Sequence, residues 1–495
     1  MKFVGRTLLA IVALVALALL AFAGNVAVGM RVHARAEGTI TGSGVHAPVS
    51  ILRDDRGVPH IMAQTERDLF FAQGYVEASD RLFQMDLLRR FILGELAEVY
   101  GASALATDER ERAVPVRAMI AVQWRRLNPD SRALLQAFSD GVNAAMEREP
   151  LPVEFRILSY RPRPWTPQDS LAVAMVTVLD LIDDWNAVES RDAAYRSGGL
   201  PLLDARFPFT DPCYDAPVTN GLAGMGPGPN CKRHVAMLLR TMADARPPIG
   251  SNEWAAGADR TLRRRALLAN DPHLALQMPG VWYLVDLRAP GYHVAGAALP
   301  GCPTVVLGHD ESVAWGATDG TVTSLSVFQP PPRLDPTAWQ TERFAVRFRG
   351  AASKRYYRAA REFGLTTTHG EFVLVHWSAY DDPVSPLTTF ISLGRARTIE
   401  DATAALATFP GPTQNFELAD TSGRVAYHLA GKIPNDPVRG RWVHPANDLS
   451  KRYPSIPFAL LPRVAPSRGA VVWTANNKMY GDGYPFPLSP QFAPP

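Results

Sequence analysis

The sequence predicts an α+β protein. Three features predict it: helical periodicity through residues 68–184, a Pro-, Gly- and Asn-rich stretch between Phe207 and Gly250, and short strand-like runs after Gly250. At the amino end, Lys2 and Arg6 precede an uncharged stretch from Thr7 to Met30, and Ala21-Phe22-Ala23 has the small-x-small form of a signal-peptidase site. Export follows. Cleavage after residues 1–23 and retention of the stretch as a membrane tether both stay open. From Asp68 to Tyr100, Leu82, Met85, Leu88 and Ile92 recur at helical spacing, with Gly94 and Gly101 near or past the end. Ser131 to Met146 predicts a second amphipathic helix with Ser131 as its cap, and a third runs from about Asp169 to Asp184 after Pro162, Pro164 and Pro167.

Residues 216–250 read as a linker, as in Gly224-Met225-Gly226-Pro227-Gly228-Pro229, with one short amphipathic piece from His234 to Met242. Beyond it, Ala266 to Ala269, Val281 to Arg288, Val294 to Ala298, Thr304 to Leu307 and Glu371 to Trp377 are apolar or alternating runs bounded by Gly, Pro and His, the pattern of strands. No repeat recurs at a fixed period.

Composition removes several functions. Among 495 residues, 51 Lys and Arg stand against 48 Asp and Glu, a net +3 too small to steer nucleic acid. Three cysteines exclude a disulfide-dense scaffold, and no CxxC pair or His-rich tract supplies a zinc site. Cys213 and Cys231 could pair in an oxidising compartment or stay as thiols, with Cys302 free either way. The chain holds no GxSxG elbow, HExxH or P-loop. What remains is the junction Pro248-Ile249-Gly250-Ser251-Asn252-Glu253-Trp254, where the linker meets strand-like sequence at a Gly-Ser bond.

Here the residues resemble a known family. Ser251-Asn252-Glu253-Trp254-Ala255, Leu268-Ala269-Asn270-Asp271-Pro272-His273-Leu274, Pro300-Gly301-Cys302-Pro303, Gly308-His309-Asp310, Ala314-Trp315-Gly316-Ala317-Thr318 and Thr474-Ala475-Asn476-Asn477 resemble, in order and spacing, the β chain of the penicillin acylase family. Upstream, Arg53-Asp54-Asp55-Arg56-Gly57-Val58-Pro59-His60-Ile61, Asp80-Arg81-Leu82-Phe83-Gln84-Met85, Gly141-Val142-Asn143 and Pro152-Val153-Glu154-Phe155 are similar to its α chain. The resemblance implies an N-terminal nucleophile hydrolase with a four-layer αββα sandwich. It would have an α-chain-like region over 24–215, a spacer over 216–250 and a β-chain-like region over 251–495.

The resemblance further implies that the precursor cuts itself between Gly250 and Ser251. Ser251 would then be the nucleophile, with its own α-amine as base. An α-amine titrates near ~7.7–8.0, far closer to neutrality than lysine, so nucleophile and base arrive in one residue. His273 matches a position that helps hold the serine region. Gly301 or Cys302 falls where a backbone N–H enters the oxyanion hole, and Asn476 falls where a side-chain amide completes it. The substrate implied is a small acyl amide, its pocket near Met175 to Trp185 and Tyr283, and the two chains stay associated after cleavage. Penicillins, cephalosporins, acyl-homoserine lactones and lipopeptides all remain open as substrates.

Two departures qualify the match. The family's calcium aspartates correspond here to Thr323 and Ser326, leaving Glu154 as the matching ligand, so no tight calcium site and no cofactor are expected. The β part also stops at Pro495, where family members continue, so the sandwich is expected to lack strands. A compact variant and a truncated frame completed by another chain, or not at all, both remain open. The rival function is an inactive pseudoenzyme persisting as a periplasmic or membrane-tethered binding protein.

Overall fold

The computed structural model describes residues 2–31, 37–41, 44–182, 185–207, 219, 250–274, 276–481, 483–486 and 488–489. Cys213, Cys231, the piece from His234 to Met242 and nearly all of the 216–250 segment lie outside these residues.

The apolar amino end forms one helix, α1 (Lys2–Arg31), whose segment Ile11–Met30 is long and apolar enough to cross a membrane and packs almost none of its surface against the rest of the protein. That is the character of a signal sequence or an anchor. Helix α2 (Glu66–Leu93) starts at Thr65, whose hydroxyl accepts the Asp68 N–H, and stops at Gly94, which sits in the left-handed region at φ 61°. The single helix expected to run to Tyr100 is therefore broken at Gly94, and only a separate turn, Ala97–Tyr100, follows. The second expected helix is α3 (Pro129–Arg148). Its cap is Asn128, which accepts from the N–H of Ser131, so Ser131 lies inside the first turn rather than capping it. Helix α4 (Pro167–Asp180) starts from a Thr166/Asp169 capping box, and α5 (Trp185–Arg206), unanticipated, kinks at Gly198 and Gly199. α2 and α3 touch backbone to backbone: a Cβ on Gly141 would stand 1.9 Å from the Phe71 carbonyl oxygen, which is why that crossing needs glycine.

The second half is strand-rich, as expected. A nine-stranded sheet runs in the order β1 (Ser50–Arg53), β2 (Pro59–Met62), β5 (Tyr283–Ala289), β6 (Tyr292–Ala298), β7 (Leu307–His309), β8 (Val313–Asp319), β14 (Gln414–Asp420), β15 (Val425–Ala430), β16 (Arg463–Ser467). It is antiparallel except where β2 meets β5. A three-stranded sheet, β17 (Val471–Thr474), β3 (Gly250–Ala256), β4 (Leu267–His273), lies against it. Two smaller sheets complete the set: β9 (Leu325–Phe328) with β12 (Phe363–Thr366) and β13 (Phe372–Trp377), and the hairpin β10 (Trp339–Val346) and β11 (Gly350–Tyr357). Thr304-Val305-Val306, read as a strand, is a buried loop that only becomes strand at Leu307.

One face of the large sheet packs on α2, α6 (Pro386–Leu393) and α7 (Ile399–Leu406), through Phe70, Val285, Val294, Trp315, Phe390, Phe416 and Leu418. Its other face meets the three-stranded sheet through Ala255, Ala419, Tyr427, Leu429 and Val472. Helix, sheet and sheet are thus three layers of the expected four. The outer face of the small sheet carries Trp254 at 45% and Leu267 at 51% exposure, with no helix covering it among the described residues.

Candidate active site

Strand β3 alternates. Ser251, Glu253 and Ala255 face the large sheet, while Asn252 and Trp254 face solvent. The inward face opens at Ser251 into a cavity of about 840 Å³. Ser251 and Asn476 line it together with Asp319 and Thr321, and Gln84, Asp180, Arg191 and Gln414 are further polar residues in its wall. Leu88, Val173, Val176, Ile182, Trp282, Leu299, Phe390, Phe409 and Phe416 supply apolar walls elsewhere. A largely apolar cavity with a few polar groups in its wall has the character of a small-molecule site. The expected pocket region is partly right: Val176, Thr177 and 180–182 line it, whereas Tyr283 is buried and donates to Asp80 at 2.6 Å.

Asn476 is held against Ser251. Its Oδ1 accepts the Ser251 N–H at 2.7 Å, and its Nδ2 donates to the Asp319 carbonyl at 2.8 Å. Its backbone sits at φ 64°, a left-handed conformation that asparagine tolerates better than most residues. One of its two amide hydrogens is engaged by Asp319, and the second has no acceptor among the described residues.

His273 is beside the junction but turned away from it. It pairs across β3 and β4 with Gly250, while Ser251 pairs with Pro272. Strand alternation therefore puts the imidazole on the opposite face from Ser251, where Nε2 lies 3.1 Å from Asp271 and 3.5 Å from the Asn252 amide.

Neither Gly301 nor Cys302 is placed as an oxyanion donor. The Gly301 N–H donates to Glu77 Oε2 at 2.9 Å, and the Cys302 N–H donates to the Leu299 carbonyl at 2.8 Å. The competitor is Glu77 of α2, fully buried and pushed by that burial up to about 8, against the opposing pull of the Gly301 N–H and Gln73. Burial, with Glu77 nearby, also raises the Cys302 thiol well above its ordinary value, so this thiol is not an activated nucleophile.

Of the three family calcium positions matched in the sequence, Glu154 alone carries a carboxylate. Glu154 lies on the short helix Val153–Ile157, whose Arg156 bonds Asn25 of α1. Thr323 and Ser326 are buried elsewhere. Ser326 donates to Asp436, whose carboxylate also takes His444 Nε2 at 2.8 Å. A Cβ on Gly440 would meet Thr323 Cγ2 at 3.0 Å and Arg191 Nη2 at 3.3 Å, so a guanidinium already occupies that neighbourhood. A hydroxyl beside a guanidinium and a hydroxyl already bonded to Asp436 are weak partners for a dication that needs several anionic oxygens.

The sequence did not single out a buried carboxyl pair behind the serine. Glu253, two residues along β3, and Glu417 of β14 project between the sheets, and none of their four oxygens has a hydrogen-bond partner among the described residues. Gly316, opposite Glu417, makes room: a Cβ there would be 2.1 Å from Glu253 Oε1. Burial, then the neighbouring Glu417 carboxyl, holds Glu253 well above the usual carboxylate range, and burial does the same for Glu417. The available signal was the alternation of β3, which aims Glu253 inward with Ser251.

The helical first part, the large sheet and the small sheet carrying Ser251 make a mixed α+β fold, and the comparisons make the family definite. The penicillin amidase family model matches residues 48–495. The chain belongs to the penicillin amidase family. It is 29% identical over 507 residues to penicillin acylase 2 proenzyme of Pseudomonas sp. (strain SE83), covering 92% of this chain and 62% of that protein. It is 30% identical over 487 residues to acyl-homoserine lactone acylase QuiP of Pseudomonas aeruginosa, covering 90% and 57%. The chain thus spans about three-fifths of the length of these relatives. Among solved structures, it is similar to the thermostable penicillin G acylase from Alcaligenes faecalis in its orthorhombic form, with a TM-score of 0.42 and 18% identity over 49% of this chain and 46% of that one.

Proposed function

We propose that this protein is an exported, self-processing amidohydrolase that cleaves an acyl group from an amine through an acyl-enzyme on Ser251. Ser251 in the wall of the cavity, with its N–H on Asn476 Oδ1, carries the reading. In the first step Ser251 Oγ attacks the Gly250 carbonyl, the peptide C–N bond breaks, and the nitrogen takes up a proton to become the α-amine. Water then hydrolyses the Gly250 ester. In turnover that amine takes the Oγ proton, Oγ attacks the substrate carbonyl, and the free Asn476 amide hydrogen meets the oxyanion. The leaving amine departs with the proton, and water releases the acid. The relatives' names, penicillin acylase and acyl-homoserine lactone acylase, support an acyl amide as substrate. The full αββα sandwich and the division at 24–215, 216–250 and 251–495 belong to the same proposal, as does association of the two chains after cleavage.

Intact mass with amino-terminal sequencing of exported protein tests it. The expected product begins Ser251-Asn252-Glu253, and Ser251→Ala stays uncut. An uncut parent chain would overturn self-processing. It would favour the rival, a non-hydrolytic binding protein using the same cavity.

A further inference from the structure

Asn415 of β14 is fully buried and joins the two sheets at the point where the chain turns toward Asn476. Its two amide hydrogens are shared among the Thr318 hydroxyl at 3.1 Å, the Asp319 carbonyl at 3.2 Å and the Thr474 hydroxyl at 3.2 Å. Its Oδ1 accepts the Tyr427 hydroxyl at 2.7 Å, and the Thr318 and Thr474 hydroxyls bond each other at 2.9 Å. Tyr427 thereby orients the amide, and strands β8, β14, β15 and β17 are tied at one buried point.

The Asp319 carbonyl accepts from both Asn415 and Asn476. A carbonyl has two lone pairs, so one donor fixes where the other must lie. Thr474, held by Asn415, is also only two residues before Asn476, in a turn that keeps Asn476 at a positive φ. We propose that Asn415 is the positioning residue that fixes the Asn476 amide against Ser251, acting through the Asp319 carbonyl and Thr474. Its catalytic consequence rests on the acylase reading above. Its geometric content does not, because the contact it protects, Ser251 N–H to Asn476 Oδ1, exists in the uncut chain.

Hydrogen exchange at residue 251 in the full-length, uncleavable Ser251→Ala protein tests that geometry. Adding Asn415→Ser is expected to speed exchange at residue 251 roughly tenfold, and Tyr427→Phe, which removes one hydroxyl and keeps the ring, roughly threefold. Exchange through residues 267–270 of the neighbouring strand should hold. An unchanged rate at 251, or equal acceleration in both strands, overturns the proposal. Should Asn415→Ser fail to fold, Tyr427→Phe decides alone. In the processed parent background, Asn415→Ser is expected to lower kcat at least roughly tenfold with KM within about twofold, whereas a loss confined to KM would contradict a role at the oxyanion. A parent protein that cleaves no acyl amide would sink the acylase reading while the exchange at residue 251 still decides the role of Asn415.

Discussion

In the helical part, buried Asp86 accepts from Arg89 at 2.8 and 2.5 Å, from Arg90 at 2.9 Å and from the Tyr160 hydroxyl at 2.7 Å, and Asp169 is clasped by Arg163 and Arg89. Between the two sheets, Glu253 and Glu417 are equally buried, and no arginine or lysine is paired with either among the described residues. Desolvation acts upward on all four carboxyls. In the first region the arginine charges outweigh it and hold Asp86 and Asp169 below the ordinary range, whereas in the second nothing does and both glutamates rise. The contrast separates a framework of ionised, satisfied charges from a pair that stays protonated behind the candidate nucleophile.

The contrast breaks most visibly at Asp86. Asp86→Ala leaves two buried guanidinium groups without their carboxylate and should cost about 3–5 kcal/mol, read by urea denaturation. Its stabilisation is present above the unfolded value near ~3.9 and is lost as pH falls toward the depressed folded value. The glutamates carry the opposite sign. The unfolded chain titrates near ~4.3 and the folded protein well above, so their contribution is complete below the unfolded value and is lost as pH rises through the folded one. Tyr427, the titratable group facing them from β15, remains protonated, its own value raised by burial and both carboxyls. Glu253→Gln with Glu417→Gln should therefore flatten the pH profile and gain roughly 1–3 kcal/mol at pH 8 relative to pH 5, measured as Tm at both. A profile as steep as the parent's would remove the distinction between the two regions. At the small end, Glu400→Gln, which loosens a surface ion pair with Arg424 (2.7 Å), should change stability by less than ~1 kcal/mol.

Elements whose signals are local were legible in the sequence. Pro129 and the Thr166/Asp169 pair start helices close to where periodicity put them, and β5, β6 and β13 fall within a residue or two of the expected runs. Strand β3 was read as a junction because inward-facing Glu253 interrupts the apolar side of its alternation. Asn476 reached Ser251 as the family resemblance implied. Gly301 and Cys302 did not become donors because the group that claims the Gly301 N–H, Glu77, lies 224 residues away, beyond any local pattern. The resemblance gave His273 as a residue that helps hold the serine region; the strand register pairs it with Gly250, and the face its ring takes could not be read from the sequence.

The missing side chain at Gly316 has a hereditary consequence. Because Glu253 Oε1 occupies the space where a Cβ would be, and Glu417 stands opposite in the register, positions 253, 316 and 417 cannot drift independently. An alanine at 316 would meet the Glu253 carboxyl and also Asn270 Cβ at 2.9 Å, so shortening residue 253 relieves only the carboxyl clash, and losing the Glu417 carboxyl would remove one of the two causes that raise Glu253. Lineages descended from this chain should change these three positions together or keep them all.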